Sequence, residues 1–406
     1  MANSLLTPSM ITREALRLFK NSNLFLRNID TQYDDSFAKN GGKIGDTLRI
    51  RLPNDYTVRS GRVAVPQDTN ERQVPLTVAT QKGVDMGFNS AELALSIDDF
   101  SDRFILPAVN ALAGGVAVDV MNSVESFSNL TFQGMASDGS GTIAIPTSST
   151  WLDAGARLDM TGTPRMNAKG RRQTVLDPRT QARTVDSLKG LFNNTQKVGE
   201  QYKSGQMGID TLGFDWGMDQ TVIKHTNGTY TAGAVNGASQ TGSALTVTGI
   251  TGTFKKGDVI TIAGVFGTNP VTKQSTGELR QFVITADVAA AATSLPIYPA
   301  IVPGNLAYGT VTASPANGAL ITLVGGAGVT FRKNFAMDPM AITMATADLP
   351  LPRNMDMAHR ETYDGISMRF LRGFDITNDV FISRLDILYG YAAPRPEWGI
   401  GIADVL

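Results

Sequence analysis

Apolar and polar positions alternate with period two at Leu48, Ile50 and Leu52, and again at Val74, Leu76 and Val78. Such a period places these side chains on one face of an extended backbone. Residues 41–88 are therefore predicted to form a long β-hairpin. Its outward positions include Arg49, Arg51, Arg59, Arg62 and Arg72, more cation than a two-stranded arm needs for solubility. An isolated hairpin is marginal in water. The arm is expected to rest on a neighbouring subunit, with these five arginines as candidate contacts; a solvated arm is the alternative.

Ahead of the hairpin, Thr7 and Pro8 have the character of an N-cap and first helical residue. Leu16, Phe19 and Leu26 can then share a face. After "SAELALSIDDFSDRF" the period turns helical, and Ile105, Val109, Leu112, Val116, Val120, Val124 and Phe127 form a stripe spaced by three to four residues. Roughly 20 helical residues would make a rod near 30 Å long. Gly114 and Gly115 inside it, at about 1 kcal/mol each relative to alanine, suggest a close backbone approach or a bend. "STWLDAGARLDM" is predicted as a short helix, Thr174 to Leu176 as a strand and Gln181 to Phe192 as a helix.

Residues 226–257 change character: Gly, Thr, Ser, Asn and Ala dominate, and no Asp or Glu occurs. Beyond them "DVITIAGV", "RQFVITADV", "SLPIYPAI" and "ALITLVG" follow "ALTVTGI" as short strands separated by turns or loops. This spacing argues for a compact antiparallel barrel or sandwich. The mixed texture returns at "KNFAMDPMAITMATADLPLPRN", and the chain closes with two long strands and a final segment. The β-unit therefore has the place of an insertion within another domain.

Composition narrows the chemistry. The chain has 406 residues, 42% of them apolar, 41 glycines and 18% charged residues, which favours strands and turns over a helix-rich core. There is no cysteine, so disulfides, thiolate catalysis and cysteine metal ligation are excluded. A net charge of −1 lacks the basic excess expected of a protein that wraps nucleic acid. The longest apolar stretch, residues 104–118, is interrupted by Pro107 and Asn110 and is too short to span a bilayer. No secretory signal is recognised at the N-terminus.

The two histidines, His225 and His359, are too far apart in sequence for a short-spaced metal pair, and no metal or cofactor site is predicted. His225 is expected to be a hinge or surface residue. "GGKIGDT" lacks the spacing of a phosphate loop and is taken as a turn before a strand. Asp98 and Asp99, like Asp34 and Asp35, are expected in first helical turns, where the macrodipole favours carboxylates. No GxSxG elbow occurs. An enzyme is not expected.

Four stretches, "LTPSMITREALRLFKNSNLF", "FAKNGGKIGDTLRIRLP", "FKKGDVITIAGVFGTNPVTKQSTGELRQFVITAD" and "LDILYGYAAPRPE", resemble the coat proteins of short-tailed bacteriophages. Those proteins carry a Hong Kong 97-type fold with an extra inserted β-domain. The resemblance runs nearly end to end. It implies an α+β fold with an inserted antiparallel β-barrel, an N-terminal arm at 1–40 and an extended loop at 41–88. It further implies a peripheral domain at 89–205 with a spine helix near 97–128, an axial domain from 206–225 and 339–406, and the insert at 226–338.

The function implied is that of a major capsid protein, assembling as hexamers and pentamers into an icosahedral shell around double-stranded DNA held only as contents. The insert would aid folding of the subunit. Assembly in the host bacterial cytoplasm, a portal, and no membrane partner follow from the same resemblance. The sequence departs from the family in two ways: 226–257 lacks the acidic residues that inserts often use at contacts, and the chain opens on the arm without a charged helical prefix. The second departure predicts a separate scaffolding protein. A β-rich adhesin or carbohydrate-binding protein is the alternative, and it would need export. An enzyme built from scattered carboxylates is a third.

Overall fold

The computed structural model describes residues 8–34, 47–59, 61–64, 66–67, 72–89, 105–187, 211–304, 306–352, 357–376 and 380–406. Thr7, Asp35, the first six residues of "GGKIGDT", Asp98, Asp99 and the helix predicted to continue past 187 lie outside them. Among the described residues strand outweighs helix, 44% to 20%, as a glycine-rich, charge-poor composition favours. The chain divides into two compact units, one of 1–51, 73–120 and 342–394, the other of 52–72, 121–341 and 395–406.

The first unit opens with α1 (Pro8–Ser22) and α2 (Leu24–Asn28). Asn23 separates them: its backbone is extended, and its side chain accepts a hydrogen bond from the Leu26 amide at 3.1 Å, starting a new helix. Leu16, Phe19 and Leu26 are all buried, so the predicted apolar face survives the break. β1 (Asp30–Asp34) follows, which corrects the helical expectation for Asp34. β2 (Thr47–Arg51) and β3 (Gln73–Thr77) pair antiparallel as the base of the hairpin. β4 (Thr80–Asn89) leaves the hairpin and enters a larger sheet.

The predicted stripe becomes α3 (Leu106–Met121), closed by a 3-10 turn at Asn122–Ser126. All seven stripe residues, Ile105 through Phe127, are buried. A Cβ at Gly114 would meet nothing within 4 Å and one at Gly115 only the Lys82 side chain at 3.9 Å, so close approach does not explain the pair; the Lys82 ammonium donates to the Gly115 carbonyl at 2.9 Å. The same ammonium lies 2.8 Å from Asp119, whose carboxylate also accepts from the Tyr389 hydroxyl at 2.7 Å.

The second unit holds β5 (Asn129–Thr131), α4 (Ser148–Met160), a small pair of β6 (Met166–Asn167) with β7 (Gly170–Arg171), and β8 (Gln173–Leu176). These lead to α5 (Pro178–Ser187), β9 (Asp215–Met218) and β10 (Lys224–Thr226). α5 begins before the predicted Gln181 because Asp177 accepts from the Arg179 amide at 2.9 Å and Pro178 suits a first helical position. α4 buries Trp151, Ala154 and Leu158 against Leu176, Phe214, Ala336, Ile400 and Ile402.

Between β10 and its antiparallel partner β17 (Thr330–Met337) lies a separate six-stranded sheet. Its strands are β11 (Ala232–Val235), β12 (Gly242–Thr251), β13 (Val259–Thr268), β14 (Ser275–Ile284), β15 (Ser294–Ile301) and β16 (Ile321–Leu323). They are ordered β11-β12-β15-β14-β13-β16, every pairing antiparallel. The two edges meet where the Val235 amide donates to the Ala319 carbonyl at 2.9 Å and Ala234 bridges Leu320, so the barrel is nearly closed. Closure removes edges that would otherwise template aggregation. The barrel encloses its own core of Leu245, Val247, Ile260, Ile262, Phe282, Ile284, Leu295 and Ile297 with others. Strict alternation in β15 puts Leu295 and Ile297 inside.

After β17 come β18 (Thr343–Ala347), β19 (Met357–Tyr363), β20 (Ile366–Asp375), β21 (Val380–Ala392) and β22 (Gly399–Val405). In the first unit they give the order β1-β18-β21-β20-β19, with β4 also on β21. In the second, β5-β22-β17-β8-β9 form a sheet to which β10 adds through β17.

Candidate functional site

The arm carries exposed arginines, and the root of the barrel holds buried charged groups. At the arm's base, Leu48 and Ile50 turn inward onto Leu76, Val78, Ala345, Ala347, Leu349 and Leu388 of the same unit. By the alternation of a strand, Arg49 and Arg51 take the opposite face of β2 and are exposed. The base thus rests on its own chain's sheet, and its arginines are presented outward.

The loop 52–72 belongs to the second unit. The Leu52 amide donates to the Arg72 carbonyl at 2.9 Å, and further out Gln67 pairs with the Thr57 backbone and hydroxyl. Arg59 donates to the Gly61 carbonyl, and Arg62 is exposed nearby. Three large apolar side chains stand out here: Tyr56 is 58% exposed, Val58 96% and Val63 78%. Arg72 turns elsewhere, binding Asp55 at 3.2 Å with its guanidinium 4.3 Å from the centre of the Tyr308 ring in the barrel domain. The five predicted arginines therefore form no single cluster: Arg49 and Arg51 share a strand face, Arg59 and Arg62 share the tip, and Arg72 is stacked.

The root of the barrel holds a buried charge cluster that sequence reasoning missed. His225, on β10 where the chain enters the barrel, is 5% exposed, which corrects its expected surface position. Its Nε2 lies 2.8 Å from Asp258 and its Nδ1 3.0 Å from Glu125. Lys333, on the returning strand β17, is fully buried and meets Glu125 at 3.1 Å and the Gly257 carbonyl at 3.3 Å. Asp258 also accepts from the Gly228 and Lys255 amides, at 3.0 and 2.8 Å.

Burial alone would depress the His225 pKa, but the bonds to Asp258 and Glu125 outweigh it and raise the value above 6.5. Burial pushes Glu125 upward, yet the Lys333 charge and the His225 contact hold it down at about 2. When His225 is protonated, two carboxylates face an imidazolium and an ammonium and the formal charge cancels. Gly257 (φ +94°) makes this packing possible, because a Cβ there would collide with Glu125 and His225. The one sequence signal was a lysine between Phe331 and Phe335 on an otherwise apolar strand face.

Among the described residues, no group of three His, Cys, Asp or Glu side chains is arranged to hold a metal ion. No described helix is long and apolar enough to cross a membrane. A polar cleft of about 290 Å³ beside α4 is lined by Gln133, Ser149, Asp153, Arg157 and Glu278, among others. Arg157 and Glu278 pair within it at 3.1 Å, and Gln133 accepts from Thr147 and Thr150 at 2.8 and 2.6 Å.

The family described as "P22 coat protein - gene protein 5" matches residues 67–403. Among solved structures, the capsid of Ralstonia phage GP4 is 8% identical with a TM-score of 0.49, covering 93% of this chain and 86% of that one. A Mycobacterium phage Che8 chain is 10% identical with a TM-score of 0.43, covering 93% and 90%. The CUS-3 coat protein I-domain is 25% identical with a TM-score of 0.20, over 23% of this chain and 95% of that one. No curated protein matches the chain. The family is one of structural, shell-forming coat proteins, and its Hong Kong 97-type fold agrees with the α+β architecture and the nearly closed barrel. The match spans most of the sequence, and the chain belongs to the P22 coat protein family, the major capsid proteins of tailed bacteriophages.

Proposed function

We propose that the chain assembles as hexamers and pentamers into an icosahedral shell around double-stranded DNA, with the hairpin arm of each subunit docking on its neighbour. The observation that carries this reading is the loop 52–72, where Tyr56, Val58 and Val63 are exposed beside Arg59 and Arg62. A cluster of large exposed apolar side chains marks an interaction site on a folded protein. A heterologous contact repeated around a closed symmetry builds a shell from one chain. In the first unit, Arg49 and Arg51 are exposed on β2 and are further candidate contacts.

The barrel would serve the subunit as a folding staple. This is supported by its self-contained core and by the direct pairing of β10 with β17, which joins the insert's two ends. Local strand contacts form quickly compared with pairings between distant segments. A separate scaffolding protein, a portal and assembly in the host cytoplasm complete the reading. It is tested by negative-stain microscopy of the chain purified with and without reversal of Arg49, Arg51 and Arg59 to Glu. Shells or capsomers from the parent and soluble, folded subunits from the variant are expected; equal loss of folding and assembly would place those arginines in the fold instead.

A further inference from the structure

One contact of the arm involves a residue that the assembly reading does not use. Tyr308 lies in the barrel domain's 302–312 segment, between β15 and β16. Its hydroxyl donates to the Asn54 side chain at 3.2 Å, on the strand-like entry to the arm's loop. The Arg72 guanidinium, on the loop's other leg, covers the Tyr308 ring at 4.3 Å and is itself oriented by Asp55 at 3.2 Å. One tyrosine thus touches both legs of the hairpin just beyond the point where Leu52 and Arg72 are hydrogen bonded.

Residues on either side of Tyr308 are hydrogen bonded back to the barrel. Thr310 donates to the Ala300 carbonyl at 2.7 Å and accepts from the Val302 amide at 3.0 Å. The Lys273 ammonium, from the β13–β14 turn, binds the Ala307 carbonyl at 2.5 Å. The segment is therefore tied to the barrel on both sides of Tyr308, whereas the arm's contribution is two polar groups and one cation.

We propose that the Tyr308 seat is a docking surface for the arm, occupied in the unassembled subunit by the chain's own loop 52–72, and that the arm must leave it to engage a neighbour. This rests on the reading of the arm as an intersubunit element. The interactions suit a reversible latch: the Arg72–Asp55 pair is exposed on both sides, with 44% and 52% of the side chains accessible, and exposed pairs and cation–π contacts are individually weak. The seat also gives the barrel a role beyond folding, since it would hold the arm against premature contact.

The absence of cysteine makes the test clean. Cysteines introduced together at Pro53 and Leu306, both exposed neighbours of the contact, are bridged with a short bismaleimide in dilute unassembled subunits. The latch predicts an intramolecular link, a fall in linking rate when Tyr308→Ala is added, because the loop then opens from the seat more readily, and slower entry of linked subunits into shells. A loop that does not link, a rate indifferent to Tyr308→Ala, or linked subunits that assemble at the parent rate would overturn it. The arginine reversals separate the two readings. If they block assembly while no link forms, only the latch falls; if the link forms but they leave assembly intact, the docking of the arm falls.

Discussion

Lys333 has no exposed surface, and its side-chain nitrogen meets Glu125 at 3.1 Å. Removing one member of a buried charge cluster leaves the others uncompensated, which typically costs about 3–5 kcal/mol. Lys333→Met is therefore expected to destabilise the subunit by that order, measured by denaturant unfolding; a change within about 0.5 kcal/mol, typical of a surface site, would count against the cluster as a structural support. The cluster also sets a pH window. His225 has a raised folded pKa, so its contribution is complete below 6.5 and is lost as pH climbs through the raised value. Glu125 has a depressed one, so its contribution is complete above 4.5 and disappears as pH falls toward about 2. Asp258, Glu125 and Lys333 are the charged groups facing the imidazole. Stability should peak between the two limbs, and His225→Gln should flatten the alkaline one; an unchanged alkaline slope would assign it to another group.

At the scale of elements, the barrel is the part whose local pattern and final structure agree most closely. β13 and β14 carry enough apolar positions to line a barrel with Ile260, Ile262, Phe282 and Ile284, all fully buried. Residues 226–338 expressed alone are expected to melt cooperatively as β-structure, followed by circular dichroism, and a disordered fragment would refute the staple. Ile262→Ala in that fragment should cost about 2–5 kcal/mol, the range for truncating a packed core aliphatic. α3 behaves differently. Its stripe is buried along its whole length, yet its position also depends on Lys82 bridging Gly115 and Asp119. That contact joins a helix to a strand that helical periodicity does not link.

At the scale of the molecule, Tyr56, Val58 and Val63 in the second unit are largely exposed, and in the first unit Leu48 and Ile50 pack on that unit's own sheet. A shell made of many such contacts needs each one to be modest, so that errors dissolve and correct arrangements accumulate. Because Arg49, Arg51, Arg59 and Arg62 are exposed, docking through them is screened by salt, with a Debye length of about 8 Å at physiological ionic strength and about 3 Å at 1 M. Assembly monitored by light scattering should slow as salt rises, and the slope should shrink in the triple arginine reversal. A salt response that persists unchanged in that variant would move the electrostatic contact elsewhere on the surface.

The periodicities were properties of the sequence alone: the alternation at 48–52 and 74–78, the stripe from Ile105 to Phe127, and the barrel strands are all present in the structure. They were legible because a strand or helix face is set by residues two to four positions apart. The four quoted stretches likewise carried the family resemblance. What they could not specify was which segments meet. Asn23 interrupts an apolar face without changing its period, so the α1–α2 break was invisible to pattern. The Tyr308 seat and the Glu125–His225–Asp258–Lys333 cluster join positions separated by tens to hundreds of residues. Tertiary structure alone decided them, because a buried charge is stable only when a distant partner arrives to replace the water it loses.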